Sequence, residues 1–148
     1  MIILIDSREK TPYTFDFAPL VKVVLGQTLK TGDYTLQGFE DQVIVERKSL
    51  VDLFGSCGRN RRRFEAELAR MADFKHAAVV IESEWSIVLR HPPTRSKLNP
   101  KTILYSVIAW EQRYGVFFWM CPNRSAGERI TFRILQRYYN DHEGEVLK

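Results

Sequence analysis

Residues 32–52 read GDYTLQGFEDQVIVERKSLVD, and the fold and chemistry of the chain turn on that stretch. Side chains alternate along a strand, so Val43, Val45 and the stem of Arg47 share one face while Ile44, Glu46 and Lys48 share the other. The Lys48 ammonium then follows the Glu46 carboxylate by about 7 Å, at about 3.3 Å of rise per residue. Gln37-Gly38 and Glu40-Asp41 frame a hairpin, which brings Asp33, at the head of a short strand over Tyr34–Leu36, beside Glu46. Two oxyanions at close range repel, and a hard divalent cation bound through oxygen offsets that cost. Mg²⁺ or Mn²⁺ there polarises a phosphoryl oxygen and lowers the pKa of a coordinated water, while Lys48 orients that water or neutralises transition-state charge. Spacing alone leaves a second reading standing: an edge strand with a surface Glu–Lys pair.

GDY followed by ERKSLVD resembles the GD…ERK…D signature of the XPF-type structure-specific endonucleases, a branch of the restriction-endonuclease-like superfamily named for its PD-(D/E)XK pattern. Ile5-Asp6-Ser7-Arg8-Glu9 is similar to that family's first-strand D-x-R-E element. Three matching elements thus occur in the family's order, within about residues 2–56. The resemblance implies a central mixed β-sheet flanked by α-helices, and metal-dependent hydrolysis of phosphodiester bonds in branched or flapped DNA. It implies Asp33, Glu46 and Lys48 as catalytic residues with Asp6 in the acidic cluster, where the residues alone also allow a turn-initiating carboxylate. Asp33, Glu46 and the backbone carbonyl of Arg47 become the expected ligands of Mg²⁺ or Mn²⁺, and Arg8 and Glu9 border the site. Asp52 falls in the first turn of a helix capped by Ser49, where the dipole favours an anion; it is also expected to hold Arg47 or Lys48. Two other readings stay open: a non-cutting DNA-binding module with a nuclease fold, and a nuclease acting on RNA or linear ends. Intact Asp33, Glu46 and Lys48 argue against the first. Members commonly carry a tandem helix-hairpin-helix module that grips DNA and dimerises. No stretch here resembles its glycine hairpins, or a helicase domain, so the preferred DNA structure and a homodimer are left open.

At 148 residues the chain is expected to be a single nuclease domain, 1–148. A hydrophobic share of 45% with 12% aromatics argues against disorder. Lysine plus arginine is 22 against 18 acids, a net charge of +4, which suits a polyanionic partner without demanding one. Cys57 and Cys121 have no metal-ligand spacing. The few apolar residues before Asp6 are too short for a signal peptide, and no run approaches the roughly 20 apolar residues of a membrane helix. A soluble intracellular protein of the cytoplasm or nucleoid is expected, with a size that suits a phage or mobile element.

The distribution of charge says more than its sum. Arg59, Arg61, Arg62 and Arg63 cluster where a helix carrying Phe64, Leu68 and Met71 on one stripe begins. Each cation at that positive end costs about 0.3–1 kcal/mol. Pairs Arg61–Glu65 and Arg63–Glu67 absorb two of them, and the cluster reads as a DNA-backbone contact. A second basic patch lies in the loop His91–Lys97, where Arg95 and Lys97 are the expected contacts. Ala77–Ile81 reads as a central strand, with Glu82 as a surface cap. Asn99-Pro100 opens a helix with Ile103, Val107, Trp110 and Tyr114 inward, which Gly115 stops. Val116–Met120 is the last strand, and Trp110 and Trp119 read as core. Ser125 and Glu128 form a capping box for a final helix with Ile130, Ile134 and Tyr138 inward. Asp141–Lys148 reads as a frayed tail.

Overall fold

Apolar residues at consecutive positions in Ile2–Ile5 and Ala77–Ile81 need cover on both faces, and a sheet between two layers supplies it. The computed structural model describes residues 1–146. In chain order these form β1 (Ile2–Asp6), β2 (Lys22–Gln27), β3 (Tyr34–Leu36), β4 (Val43–Lys48), α1 (Leu50–Cys57), α2 (Arg61–Met71), β5 (His76–Ile81), α3 (Trp85–Arg90), α4 (Pro100–Tyr114), β6 (Phe117–Met120) and α5 (Arg124–Val146). The strands make one sheet in the order β2-β1-β3-β4-β5-β6. β1, β3 and β4 are antiparallel neighbours, while β2 joins β1, and β5 and β6 follow β4, in parallel. This is the central mixed sheet flanked by helices expected from the sequence, with β2 as a parallel edge strand.

The alternation along β4 divides the interior as period two requires. Ile44 joins Val79, Ile81, Phe64, Leu68 and Trp110 in the core under α1, α2 and α4. Val43 and Val45 join Val80, Phe132 and Leu135 in the core under α5 and the aromatic Tyr13–Phe15 segment. Glu46 and Lys48 therefore emerge on the α2 side, and Arg47 emerges on the Tyr13 side. Helix α4 is capped as its sequence demands: Asn99 accepts the Lys101 N–H at 3.0 Å, and Gly115 closes it at φ 65°.

Three expectations about the C-terminal third change. Asn123, not Ser125, caps α5, accepting the Ala126 N–H at 2.9 Å; Glu128 instead accepts the backbone N–H groups of Thr14 and Phe15 at 3.1 and 2.7 Å. The buried stripe of α5 accordingly runs through Phe132, Leu135 and Tyr138, leaving Ile130 and Ile134 half-buried. The helix continues from Asp141 to Val146 instead of fraying there, and residues 147–148 of that expectation lie outside the described residues. Trp110 is fully buried, but Trp119 is 47% exposed, because β6 is an edge strand with a single neighbour.

Candidate active site

Asp33 reaches the site through a bend that only glycine can make. Gly32 sits at φ 73°, and a Cβ there would run into the Ile44 side chain. Past that bend the Asp33 N–H donates to the Val45 carbonyl at 3.0 Å, and the Arg47 N–H donates to Asp33 Oδ2 at 2.8 Å. The pairing of β3 with β4, with Tyr34 opposite Val45, thus delivers the Asp33 carboxylate against Glu46. Lys48 Nζ lies 3.6 Å from Glu46 Oε1 and 4.3 Å from the centre of the Phe64 ring, so α2 closes over the ammonium.

A cleft of about 760 Å³ collects these groups between the strand ends and α1–α2. Glu67 of α2 faces it too. The expected Arg63–Glu67 pair is replaced by an approach of Glu67 to Glu46, which no charge-spacing rule along the helix foretells. Burial, with Glu9 and Glu67 nearby, pushes Asp33 up to about 7 even though the Arg47 N–H opposes the shift. Burial, then Asp33 and Glu67, raises Glu46 well above the usual carboxylate range, against the pull of Lys48.

The other expected site residues divide. Asp6 is buried and saturated. Its carboxylate takes the Arg8 N–H, Nε and Nη2 at 3.0, 2.7 and 3.2 Å, and the Leu29 N–H at 2.9 Å. Burial pushes it up, but these bonds win and hold it below its ordinary value. Asp6 braces Arg8 and the β2–β3 loop, and no oxygen of it is spare for a cation. Glu9 borders the cleft and lies 3.4 Å from Arg47 Nη1. Asp52 corrects its expected role. It forms the capping box of α1 with Ser49, at 3.1 and 3.3 Å, and binds neither Arg47 nor Lys48.

Arg47 is held by a residue that sequence reading placed on the surface. Glu82, at the end of β5, takes Arg47 Nε and Nη2 at 3.0 and 2.7 Å and the Tyr13 hydroxyl at 2.7 Å, and its side chain is only 8% exposed. This network anchors the strand whose next residue is Lys48. Glu82→Ala is expected to lower the unfolding free energy by about 2–3 kcal/mol, less than the roughly 3–5 kcal/mol of breaking a fully buried pair, because Glu9 and Thr11 still hold the guanidinium. Urea denaturation of the variant checks this.

The basic residues divide as well. Arg61 turns inward, bonding Glu65 at 3.0 Å and Ser106 Oγ at 2.7 Å and covering the Trp110 ring, so it is structural and corrects the expected phosphate contact. Arg63 and Arg70 line the cleft. Arg59, Arg62, Arg95 and Lys97 are exposed outside it.

The donor set suits a hard divalent cation. Asp33 and Glu46 offer carboxylate oxygens at raised pKa, and the buried Thr31 hydroxyl in the same wall has no hydrogen-bond partner. No group of three or more His, Cys, Asp or Glu that could by itself hold a metal ion is gathered among the described residues. Mg²⁺ needs none, since it keeps several waters and takes one or two carboxylates plus substrate phosphate. A pH dependence follows for the metal-free protein. A carboxyl whose folded pKa exceeds its unfolded value holds its proton in the fold, so the contribution of Asp33 to stability is full below about pH 4 and is lost as pH rises through about 7. Thermal melts at pH 5 and 8 should show that loss, and millimolar Mg²⁺ should restore most of it at pH 8 alone.

Comparison with known proteins adds a family and a fold. A family model described as the ERCC4 domain matches residues 5–134. No curated protein sequence matches the chain. The solved XPF from Aeropyrum pernix in complex with DNA is similar at 23% identity and a TM-score of 0.71, over 95% of this chain and 65% of that one. A second structure, XPF from Aeropyrum pernix, is similar at 20% identity and a TM-score of 0.63, over 88% of this chain and 61% of that one. The chain thus spans less than two thirds of the length of either relative, and at these identities the likeness speaks to the fold. No helix among the described residues is long and apolar enough to cross a membrane.

Proposed function

The chain belongs to the ERCC4 domain family and has the XPF nuclease fold, and on that premise we propose that it is a divalent-metal-dependent endonuclease cutting branched or flapped DNA. The observation that carries the reading is the meeting of Asp33 and Glu46 from neighbouring strands, with Lys48 3.6 Å from Glu46, in a cleft walled by Arg63 and Arg70. Asp33 and Glu46, with the Arg47 carbonyl beside them, would hold Mg²⁺ or Mn²⁺. The bound ion supplies Lewis-acid polarisation of a phosphoryl oxygen and a more acidic water.

The chain's own residues do the rest. Asp33 is oriented by the Arg47 N–H, and Arg47 is fixed in turn by Glu82 and Glu9, so the carboxylate has little freedom to lose. Lys48 is pinned between Glu46 and Phe64, close to where a scissile phosphate would sit, and its ammonium stabilises the charge that grows on the phosphoryl oxygens. Arg63 and Arg70 approach the flanking backbone phosphates. The test of substrate class is a panel of end-labelled flap, fork, four-way junction, linear duplex and RNA substrates with Mg²⁺. Cutting of flaps and forks near the branch supports the reading; equal cutting of linear ends or RNA contradicts it.

Arg59 and Arg62 lie at the mouth of α2, exposed, with no ion pair among the described residues. Neutralising both should weaken duplex binding for all sequences alike and flatten the salt slope by roughly one unit per lost phosphate contact. Titrations at several salt concentrations check it, with cutting at saturating DNA falling less than on removal of Lys48.

A further inference from the structure

The face of the sheet opposite α2 carries a second groove, between β6 and α5, which the cleavage chemistry does not use. It encloses about 660 Å³ and shares no lining residue with the cleft. Its floor is apolar: Ile130 and Ile134 are half-buried, and the Trp119 indole is 47% exposed. Its wall is cationic. Arg129, Arg133 and Arg137 recur every fourth residue of α5, about 6 Å apart along the axis at 1.5 Å of rise per residue. Asp141 is the one carboxylate lining the groove among the described residues, and Arg137 occupies it at 2.9 Å. Arg129 lies over the Phe17 ring and Arg133 bonds Gln136, so neither has a carboxylate among the described residues within ion-pair distance.

A row of like charges beside exposed apolar surface is unfavourable on both counts until something covers it. A second copy of the chain answers the apolar floor but not the charge, because a twofold interface adds a second arginine row and, among the described lining residues, no carboxylate beyond Asp141. Strand addition to β6 is obstructed as well, since Glu111 Oε1 lies across that edge and accepts the Phe118 N–H at 3.3 Å. An anionic ligand with flat aromatic faces answers both features.

We propose that this groove binds single-stranded DNA, a base stacking on Trp119 while backbone phosphates meet Arg129 and Arg133. The inference rests on the endonuclease reading. The groove would hold the unpaired arm of a branched substrate on the far side of the sheet from the bond that is cut.

The test is fluorescence anisotropy of labelled oligo(dT) titrated with the full chain in EDTA, so that no cutting contributes. Trp119→Ala should weaken oligo(dT) binding about tenfold. Arg129→Ala with Arg133→Ala should lower the slope of log affinity against log salt by about 1.4. Both should leave the Mg²⁺-dependent cutting rate on saturating duplex-rich substrate near the parent's. The arginine pair is wholly at the surface and carries the test alone if Trp119→Ala does not fold. Oligo(dT) affinity and salt slope unchanged in the folded variants overturn the proposal and leave the nuclease reading intact. Loss of oligo(dT) binding in a chain that never cuts DNA supports the groove and removes the nuclease instead. Trp119→Ala splitting a dimer in sedimentation, with oligo(dT) binding unaltered, would make the groove a subunit interface and overturn the proposal.

Discussion

Asp33→Asn and Glu46→Gln are each expected to reduce cleavage of flap DNA by about 10³-fold or more while leaving DNA affinity equal or higher. Both substitutions keep the shape of the side chain and remove a negative charge. Glu46 is buried with Asp33 and Glu67 close by, and its ionised form is favoured only by Lys48 and by whatever cation joins it. The amide cannot serve as an anionic ligand, so the electrostatic reason for a cation to enter disappears. The same change relieves repulsion between the cleft and a phosphate, hence the retained affinity. It also removes a buried group held at an unfavourable charge, so the metal-free variants should melt at or above the parent temperature at pH 8. Single-turnover cleavage and melting curves on the same preparations check both halves. Variants that fail to fold would return Asp33 and Glu46 to a structural role.

Lys48→Ala is expected to lower single-turnover cutting by about 10²–10³, the usual cost of losing one pre-placed electrostatic stabiliser, with the stabilisation by Mg²⁺ retained. The ammonium is fixed by Glu46 at 3.6 Å and by the Phe64 ring at 4.3 Å, and the residue is buried, so a mobile surface lysine cannot substitute for it. Lys48→Arg should rescue little, because a planar fork does not fit where a compact ammonium sits between a carboxylate and a ring. Near-parental turnover in Lys48→Ala would mean that Lys48 only balances Glu46.

What could be read from the sequence was what depends on local periodicity. Val43 to Lys48 alternate because a strand has a period of two, so one hydrophobic assignment placed all six side chains. The hairpin after β3 put Asp33 opposite the right residues, and Ile103, Val107 and Trp110 marked the buried stripe of α4. What escaped depends on partners distant in the chain. Glu82 reads as a strand-end cap until Arg47, 35 residues earlier, and Tyr13, 69 residues earlier, are folded against it. Helical spacing pairs Glu67 with Arg63, but the rotation of α2 over the sheet turns it toward Glu46. Arg61 pairs with Glu65 as helical spacing expects, but Ser106 and Trp110 draw it away from the basic surface where a phosphate contact was expected. Asp6 lay where the motif expects it, yet Arg8 and Leu29 use all of its oxygens. Asn123 caps α5 where Ser125 was the nearer candidate, and Trp119 stays open because β6 is an edge strand with one neighbour. A basic residue flagged by the sequence thus needed the fold to decide whether it faces phosphate or protein.

The central claim, that Asp33 and Glu46 cut DNA through a divalent cation, is tested most directly by one time course. A labelled flap is incubated with the full chain in Mg²⁺, in Ca²⁺ or in EDTA. The expected result is cutting near the branch in Mg²⁺, binding with little turnover in Ca²⁺, whose looser coordination activates water poorly, and no cutting in EDTA. Equal cutting in EDTA and Mg²⁺ would contradict the account.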